Sequence, residues 1–302
     1  MPDPGYHLLR WGNYSMSLGR RTRIMGVLNV TPDSFSDGGK FFSLDRALAQ
    51  AEKMIADGAD ILDIGGESTR PSSAPVETEE ECRRVLPIIE HLAKHISIPI
   101  SIDTNKSAVA RRAVAAGASI INDISALLFD PEMGAVAAQN DVMVVLMHMK
   151  GTPSDMQKAP AYHDPVGEIR DFLHQAVRRA EAYGVPRSKL IIDPGIGFGK
   201  TVHHNLFLIN RLSEFSDMGI PILLGTSRKA FIRKILSPME GPGFAPDHPM
   251  VAVGTQATVA AGIMNGAHIV RVHDVAETCA TVKIMDAIRN AAHAQEENQG
   301  GA

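Results

Sequence analysis

The sequence predicts a single (β/α)8 barrel, and three observations carry that expectation. Short apolar, β-branched runs alternate with longer amphipathic stretches throughout the chain. The alternation repeats eight times over about 270 residues, the count and length of such a barrel. Only 5% of residues are aromatic although 44% are hydrophobic, so the core is aliphatic, as a parallel sheet buried on both faces requires. A doubly wound open sheet of the same units is the competing arrangement.

The elements follow in order. A strand over 23–29 precedes a helix over 43–57, with Ser43 as its N-cap. A strand over 60–63 leads to a helix over 78–95, where Thr78-Glu-Glu-Glu81 matches a capping box. Strands at 98–103 and 119–122 are followed by helices at 108–116 and 131–140. Strands at 142–147 and 189–193 precede helices at 164–183 and 202–216. The seventh strand, 221–225, is followed by helical segments at 229–236 and 251–265. The eighth, 268–271, precedes a last helix over 274–292. Gly58, Gly117 and Gly266 stand where a left-handed helix C-cap belongs. Residues 6–20 read as a hairpin turning at Gly12-Asn13 that plugs the barrel's amino end. Residues 241–249 read as a loop and 293–302 as a flexible tail, so one domain is expected over 1–302.

Composition narrows the function. Net charge is −4 over 302 residues, and no basic run can follow a phosphate backbone, which argues against nucleic acid. No apolar run reaches the ~18 residues of a membrane span, and the first twenty residues lack the apolar core of a secretory signal. Two cysteines, Cys82 and Cys279, make neither a disulfide framework nor a thiolate metal site. A cytoplasmic location is the simplest expectation.

In a barrel, residues at the carboxyl ends of the strands surround one site. Here these are Asn29, Asp63, Asp103, Asn122, His148, Asp193, Ser227 with Lys229, and Arg271 with His273. A single strand ending in Asp is explained by turn chemistry; eight convergent cases are not. Asp103, Asn122, Asp193 and Lys229 offer the acceptors, donors and cation that suit a flat heterocycle with ring nitrogens, an amino group and a carbonyl. Arg271 and His273 are two apart on one strand and share a face, a compact site for phosphate. Asn29 offers a neutral oxygen to a hard cation such as Mg2+ travelling with that phosphate. The segments 29–39 and 65–76, rich in Gly, Pro, Ser and Asp, follow strands on the same face and read as lids.

Other signals are discounted. In Gly195-Ile-Gly-Phe-Gly-Lys-Thr201, Pro194 stands where a Walker loop needs glycine and Lys200 where a dinucleotide fingerprint needs one. These glycines more simply let backbone approach a ligand beside Asp193. His203-His204 reads as a helix start rather than a metal site. His148 is either a satisfied core histidine or a wall of the site.

The motifs Asn29-Val-Thr-Pro-Asp-Ser-Phe-Ser-Asp-Gly-Gly39, Asp63-Ile-Gly-Gly-Glu-Ser-Thr-Arg-Pro71, Asp193-Pro-Gly-Ile-Gly-Phe-Gly-Lys200 and Ser227-Arg-Lys229 closely resemble the dihydropteroate synthase family. So do 101–103, 121–123, 146–149 and 271–274, in order. The resemblance implies a TIM barrel in the folate pathway that joins para-aminobenzoate to 6-hydroxymethyl-dihydropterin pyrophosphate and releases pyrophosphate. It implies that Asp103, Asn122, Asp193 and Lys229 hold the pterin. Asn29, Arg271 and His273 would hold the pyrophosphate, with Mg2+ near Asn29. Thr69, Arg70, Pro71, Phe198 and Ser227 would border the para-aminobenzoate and sulfonamide pocket, and Asp103, Lys229 and Arg271 would carry catalysis. A homodimer is the family's pattern. Two positions depart from it: Arg70-Pro-Ser72 replaces an Arg-Pro-Gly, and 247–255 keeps only Gly254-Thr255 of a longer element. The alternatives are a pterin-binding methyltransferase domain, which needs neither Arg271 with His273 nor the 29–39 loop, and a catalytically silent pterin-binding paralogue.

Overall fold

The computed structural model describes residues 5–30, 40–68, 75–238 and 243–299. A hairpin of β1 (His7–Trp11) and β2 (Tyr14–Leu18) precedes β3 (Arg23–Asn29) and α1 (Lys40–Ala56). Next come β4 (Ile61–Gly65), α2 (Thr78–His95), β5 (Ile100–Asp103), α3 (Ser107–Ala116), β6 (Ile120–Asp123), α4 (Met133–Gln139), β7 (Met143–Met147) and α5 (Pro165–Ala182). The chain continues through β8 (Leu190–Asp193), α6 (Val202–Asn210), β9 (Leu223–Leu224), α7 (Ala230–Leu236), α8 (Pro249–Met264), β10 (Ile269–Val272) and α9 (Val275–Gln299).

Eight parallel strands run in the order β8-β7-β6-β5-β4-β3-β10-β9. A parallel bridge between Ile192 and Ile222 joins the two ends and closes the barrel. The open-sheet alternative is thereby set aside. β9 is shorter than its apolar run because Pro221 has no N–H to donate, and the N–H of Ile222 is taken by His268 Nδ1 at 3.0 Å.

The hairpin forms where the sequence places it, with Trp11 opposite Tyr14 across the Gly12-Asn13 turn. Its inward residues Leu9, Trp11, Met16 and Leu18 pack on Met25, Ile61, Ile120, Met143, Ile191 and Ile269, the amino-end interior of the barrel. Alternation along each hairpin strand makes this possible: one face is buried and the other exposed. Gly58, Gly117 and Gly266 all take positive φ at helix ends, as expected of left-handed caps.

Several boundaries differ from expectation. α1 begins at Lys40, so Ser43 lies within its first turn rather than at its N-cap. α2 is preceded by Glu77 with no side-chain cap. The Glu81 carboxylate that a capping box would use lies instead 2.6 Å from Lys106 Nζ. α6 stops at Asn210 and a tighter helical segment, Leu212–Met218, replaces its second half. The Asn265 side-chain amide donates to the Ile209 carbonyl at 3.0 Å, taking an acceptor that a continuing helix would use. α9 runs to Gln299, past the point where a tail was expected, because 291–297 is rich in Ala, Gln and Glu, which favour helix. No helix among the described residues is long and apolar enough to cross a membrane.

Candidate active site

A cleft of about 1010 Å3 opens at the carboxyl ends of the strands. Asn29, Asp103, Asn122, Asp193, Phe198, Ser227, Lys229, Arg271 and His273 all line it. Every pterin and pyrophosphate position read from the sequence therefore meets in one cavity. Thr69, Arg70 and Pro71 lie outside the described residues, as do most of the 29–39 loop and the centre of the 65–76 loop.

The floor is an ionic network assembled by barrel closure. Arg271, on β10, donates Nε to Asp63 Oδ2 and Nη2 to Asp103 Oδ2, each at 2.6 Å. Asn122 Nδ2, on β6, donates to the same Asp63 oxygen at 3.1 Å. Asp63 is fully buried, and the other oxygens of both carboxylates, Asp63 Oδ1 and Asp103 Oδ1, have no hydrogen-bond partner among the described residues. Two of Arg271's five N–H donors are thus held by carboxylates. The sequence assigns Arg271 to pyrophosphate and to catalysis; the structure also makes it the counter-ion of two carboxylates in the floor.

Burial tunes these groups. The Asp103 carboxyl is pushed up to about 7, mainly by burial, against the pull of Arg271. Asp193 accepts from the Gly195 N–H at 2.7 Å, and burial raises it to about 6 in spite of that bond. Lys229 is lowered to about 8 by burial and then by the nearby Arg271 charge. Burial opposes the Arg271 charge too, yet Asp63 and Asp103 hold it above the usual guanidinium range. A floor of this kind gains by meeting a ligand rich in N–H donors.

The wall at 195–200 explains its glycines. Gly195 has φ +70, and a Cβ there would stand 1.8 Å from the His148 carbonyl oxygen. Gly197 has φ +86, and a Cβ would meet the Lys229 side chain at 2.9 Å. This tight fit lays the Phe198 ring under Lys229, whose Nζ sits 3.9 Å from the ring centroid. Lys200, 3% exposed, donates to the Phe198 carbonyl and to His148 Nδ1, both at 2.9 Å. Donation to His148 needs an unprotonated Nδ1, in keeping with a histidine driven well below its ordinary value by burial and Lys200. His148 is thus a support behind the wall. The sequence shows Lys200 as the residue that spoils a nucleotide fingerprint and as the end of the 193–200 motif; its burial beside the cleft is a tertiary fact. His204 pairs with Thr201 in a capping box at the start of α6, which bears out the helix-start reading.

On the adjoining wall, the Ser227 hydroxyl meets His273 Nδ1 at 2.9 Å. Asn29 ends β3, partly exposed on the cleft. Among the described residues, no group of three or more His, Cys, Asp or Glu could hold a metal ion. One neutral amide oxygen fits a hard cation whose remaining ligands are phosphate oxygens and water.

Fold and rim together define a pterin-binding barrel enzyme, and residues 25–273 match the pterin binding enzyme family. A dihydropteroate synthase from Synechocystis sp. is 48% identical over 270 residues, covering 89% of this chain and 91% of its own. The structure of Yersinia pestis dihydropteroate synthase with a sulfonamide drug complex superposes with a TM-score of 0.85 at 41% identity, covering 94% of this chain and 99% of that one. Xanthomonas albilineans dihydropteroate synthase with 4-aminobenzoic acid gives 0.85 at 40% identity and the same coverage. The chain belongs to the dihydropteroate synthase family.

Proposed function

We propose that the chain condenses 6-hydroxymethyl-7,8-dihydropterin pyrophosphate with para-aminobenzoate, giving 7,8-dihydropteroate and pyrophosphate for folate synthesis. The observation that carries this is the meeting, in one cleft, of a donor-and-acceptor floor (Asp103, Asn122, Asp193, Lys229) and a basic wall (Arg271, His273). A methyltransferase domain has no use for that wall.

In this reading the Asp103, Asn122 and Asp193 oxygens accept the pterin's N–H groups and Lys229 donates to its carbonyl. Arg271 and His273 neutralise the pyrophosphate as its bond to the methylene carbon breaks. The cationic methylene left behind is conjugated to the pterin, and the Asp103 carboxylate stabilises it. The neutral arylamine of para-aminobenzoate then attacks that carbon and gives up a proton; an aniline nitrogen needs no strong base. Phe198 and Ser227 border the arylamine, together with Thr69, Arg70 and Pro71. Asn29 would hold Mg2+ with the pyrophosphate, and the ion would supply further neutralisation of the leaving group.

We further propose a cytoplasmic homodimer. Exposed Val253 on α8 and Ile284 and Ile288 on α9 support the dimer, and sedimentation of the purified chain checks it.

The test is an assay of enzyme, Mg2+, pterin pyrophosphate and para-aminobenzoate, following both products. Equal amounts of pyrophosphate and dihydropteroate are expected. Tight pterin binding with neither product would instead identify a silent paralogue.

A further inference from the structure

Between Ser227 and Lys229 stands Arg228, with φ +58. A non-glycine residue in the left-handed region is strained, and persists where its surroundings hold it. Three contacts do so. Its N–H donates to the buried Thr255 Oγ1 at 3.1 Å. Its guanidinium grips Asp274 with two bonds, Nε to Oδ2 at 3.2 Å and Nη2 to Oδ1 at 2.5 Å. One residue earlier on each loop, Ser227 and His273 meet twice, side chain to side chain at 2.9 Å and His273 N–H to Ser227 Oγ at 3.2 Å. Two consecutive residues after β9 are thus cross-linked in step to two consecutive residues after β10. The ion pair is half-buried, the side chains being 31% and 15% exposed, where bidentate geometry counts for more than in open solvent.

We propose that Arg228 and Asp274 are positioning residues: their ion pair locks the loop bearing Lys229 to the loop bearing His273, so that the pterin cation and the phosphate-binding imidazole are held as one rigid pair. Ser227, Arg228 and Lys229 all line the cleft, and the left-handed turn at Arg228 takes its guanidinium to Asp274. The lock rests on the functional reading above, because it acts through Lys229 and His273. It predicts that cutting the ion pair loosens substrate without unfolding the barrel.

The experiment uses the full chain and compares wild type with R228G, D274N, the double variant R228G/D274N, and R228K. Glycine suits the positive φ, so R228G removes the ion pair while relieving strain, and its melting temperature should stay level or rise. The readouts are the affinity of inorganic pyrophosphate with Mg2+, by calorimetry, and KM and kcat for pterin pyrophosphate. We expect R228G and D274N each to weaken pyrophosphate and raise that KM about tenfold, with the double variant no worse than either single, as for one shared interaction. R228K, which keeps the charge, should recover part of the loss. Should R228G and D274N bind pyrophosphate as wild type does, or lose affinity only in step with lost folded protein, the lock is refuted. If wild type itself forms no dihydropteroate, the functional reading fails, whereas the pyrophosphate titration still reports on the lock.

Discussion

The two ends of the barrel are made from the same strands yet obey opposite rules. At the amino end, Met25, Ile61, Ile120, Met143, Ile191 and Ile269 meet the hairpin's Leu9, Trp11, Met16 and Leu18 in an apolar plug. At the carboxyl end, only two residues further along β4, β6, β8 and β10, Asp63, Asn122, Asp193 and Arg271 are gathered with Asp103 of β5, with little exposure to water. The first end gives up apolar surface to gain stability. The second gathers charges whose burial costs stability, and some of them take shifted protonation as a result. The difference teaches that stability and binding are separable here by end, and substitutions can break or sharpen that division.

The largest effect is expected at the carboxyl end. Lys229→Ala removes the cation facing Asp193 and Asp103, and turnover should fall by about 100- to 1000-fold, the scale of losing one preorganised electrostatic contact to the reacting substrate. The melting temperature should move little, since Lys229 is itself poorly solvated. Steady-state kinetics and thermal melting on one preparation check both halves. The amino end should behave in reverse. Leu18 is fully buried in the plug, so Leu18→Ala should lower stability by about 2–5 kcal/mol while the folded fraction keeps its kcat. Denaturant unfolding beside an activity assay decides; a parallel loss of kcat would show that the ends are coupled.

Smaller is the effect of pH on pterin binding. Asp103 and Asp193 accept from the pterin in this account, and their folded-state values stand at about 7 and about 6. Affinity should therefore be full above pH 7 and fall as pH drops through 7 to 5, by up to about tenfold per unit once a carboxyl must be deprotonated to bind. Fluorescence titration of the pterin across that range checks it, and an affinity flat from pH 5 to 8 would remove these carboxylates from the binding step.

Much of the carboxyl end was legible because parallel strands deliver their last residues to one place. Asp103, Asn122 and Asp193 could be named from position alone. The hairpin was legible from alternation and the Gly12-Asn13 turn. What stayed hidden depends on contacts distant in sequence. Arg271 lies 208 residues from Asp63 and 168 from Asp103, so no local pattern marks it as their counter-ion. Nothing local in the sequence marks Lys200 as buried; its contacts with His148 and the Phe198 carbonyl place it there. Arg228 gives no sign in the sequence of a left-handed backbone, since that conformation is imposed by Thr255 and Asp274. Glu81 was misread as a capping residue because Lys106, its partner, stands on another element.

The most direct test of the division between the ends is to measure pterin affinity and folding stability together in Asp193→Asn. The Asp193 carboxyl titrates near 6 in the folded chain against an ordinary 3.8. The folded state therefore binds the proton more tightly, and above pH 6 the ionised carboxylate costs the fold about 3 kcal/mol. Asparagine removes that cost and still accepts from Gly195, but it no longer offers a charge to the pterin. At pH 8 the variant should be at least as stable as wild type while binding pterin about 100-fold more weakly. A variant that binds pterin normally, or that loses stability and affinity together, would contradict the account.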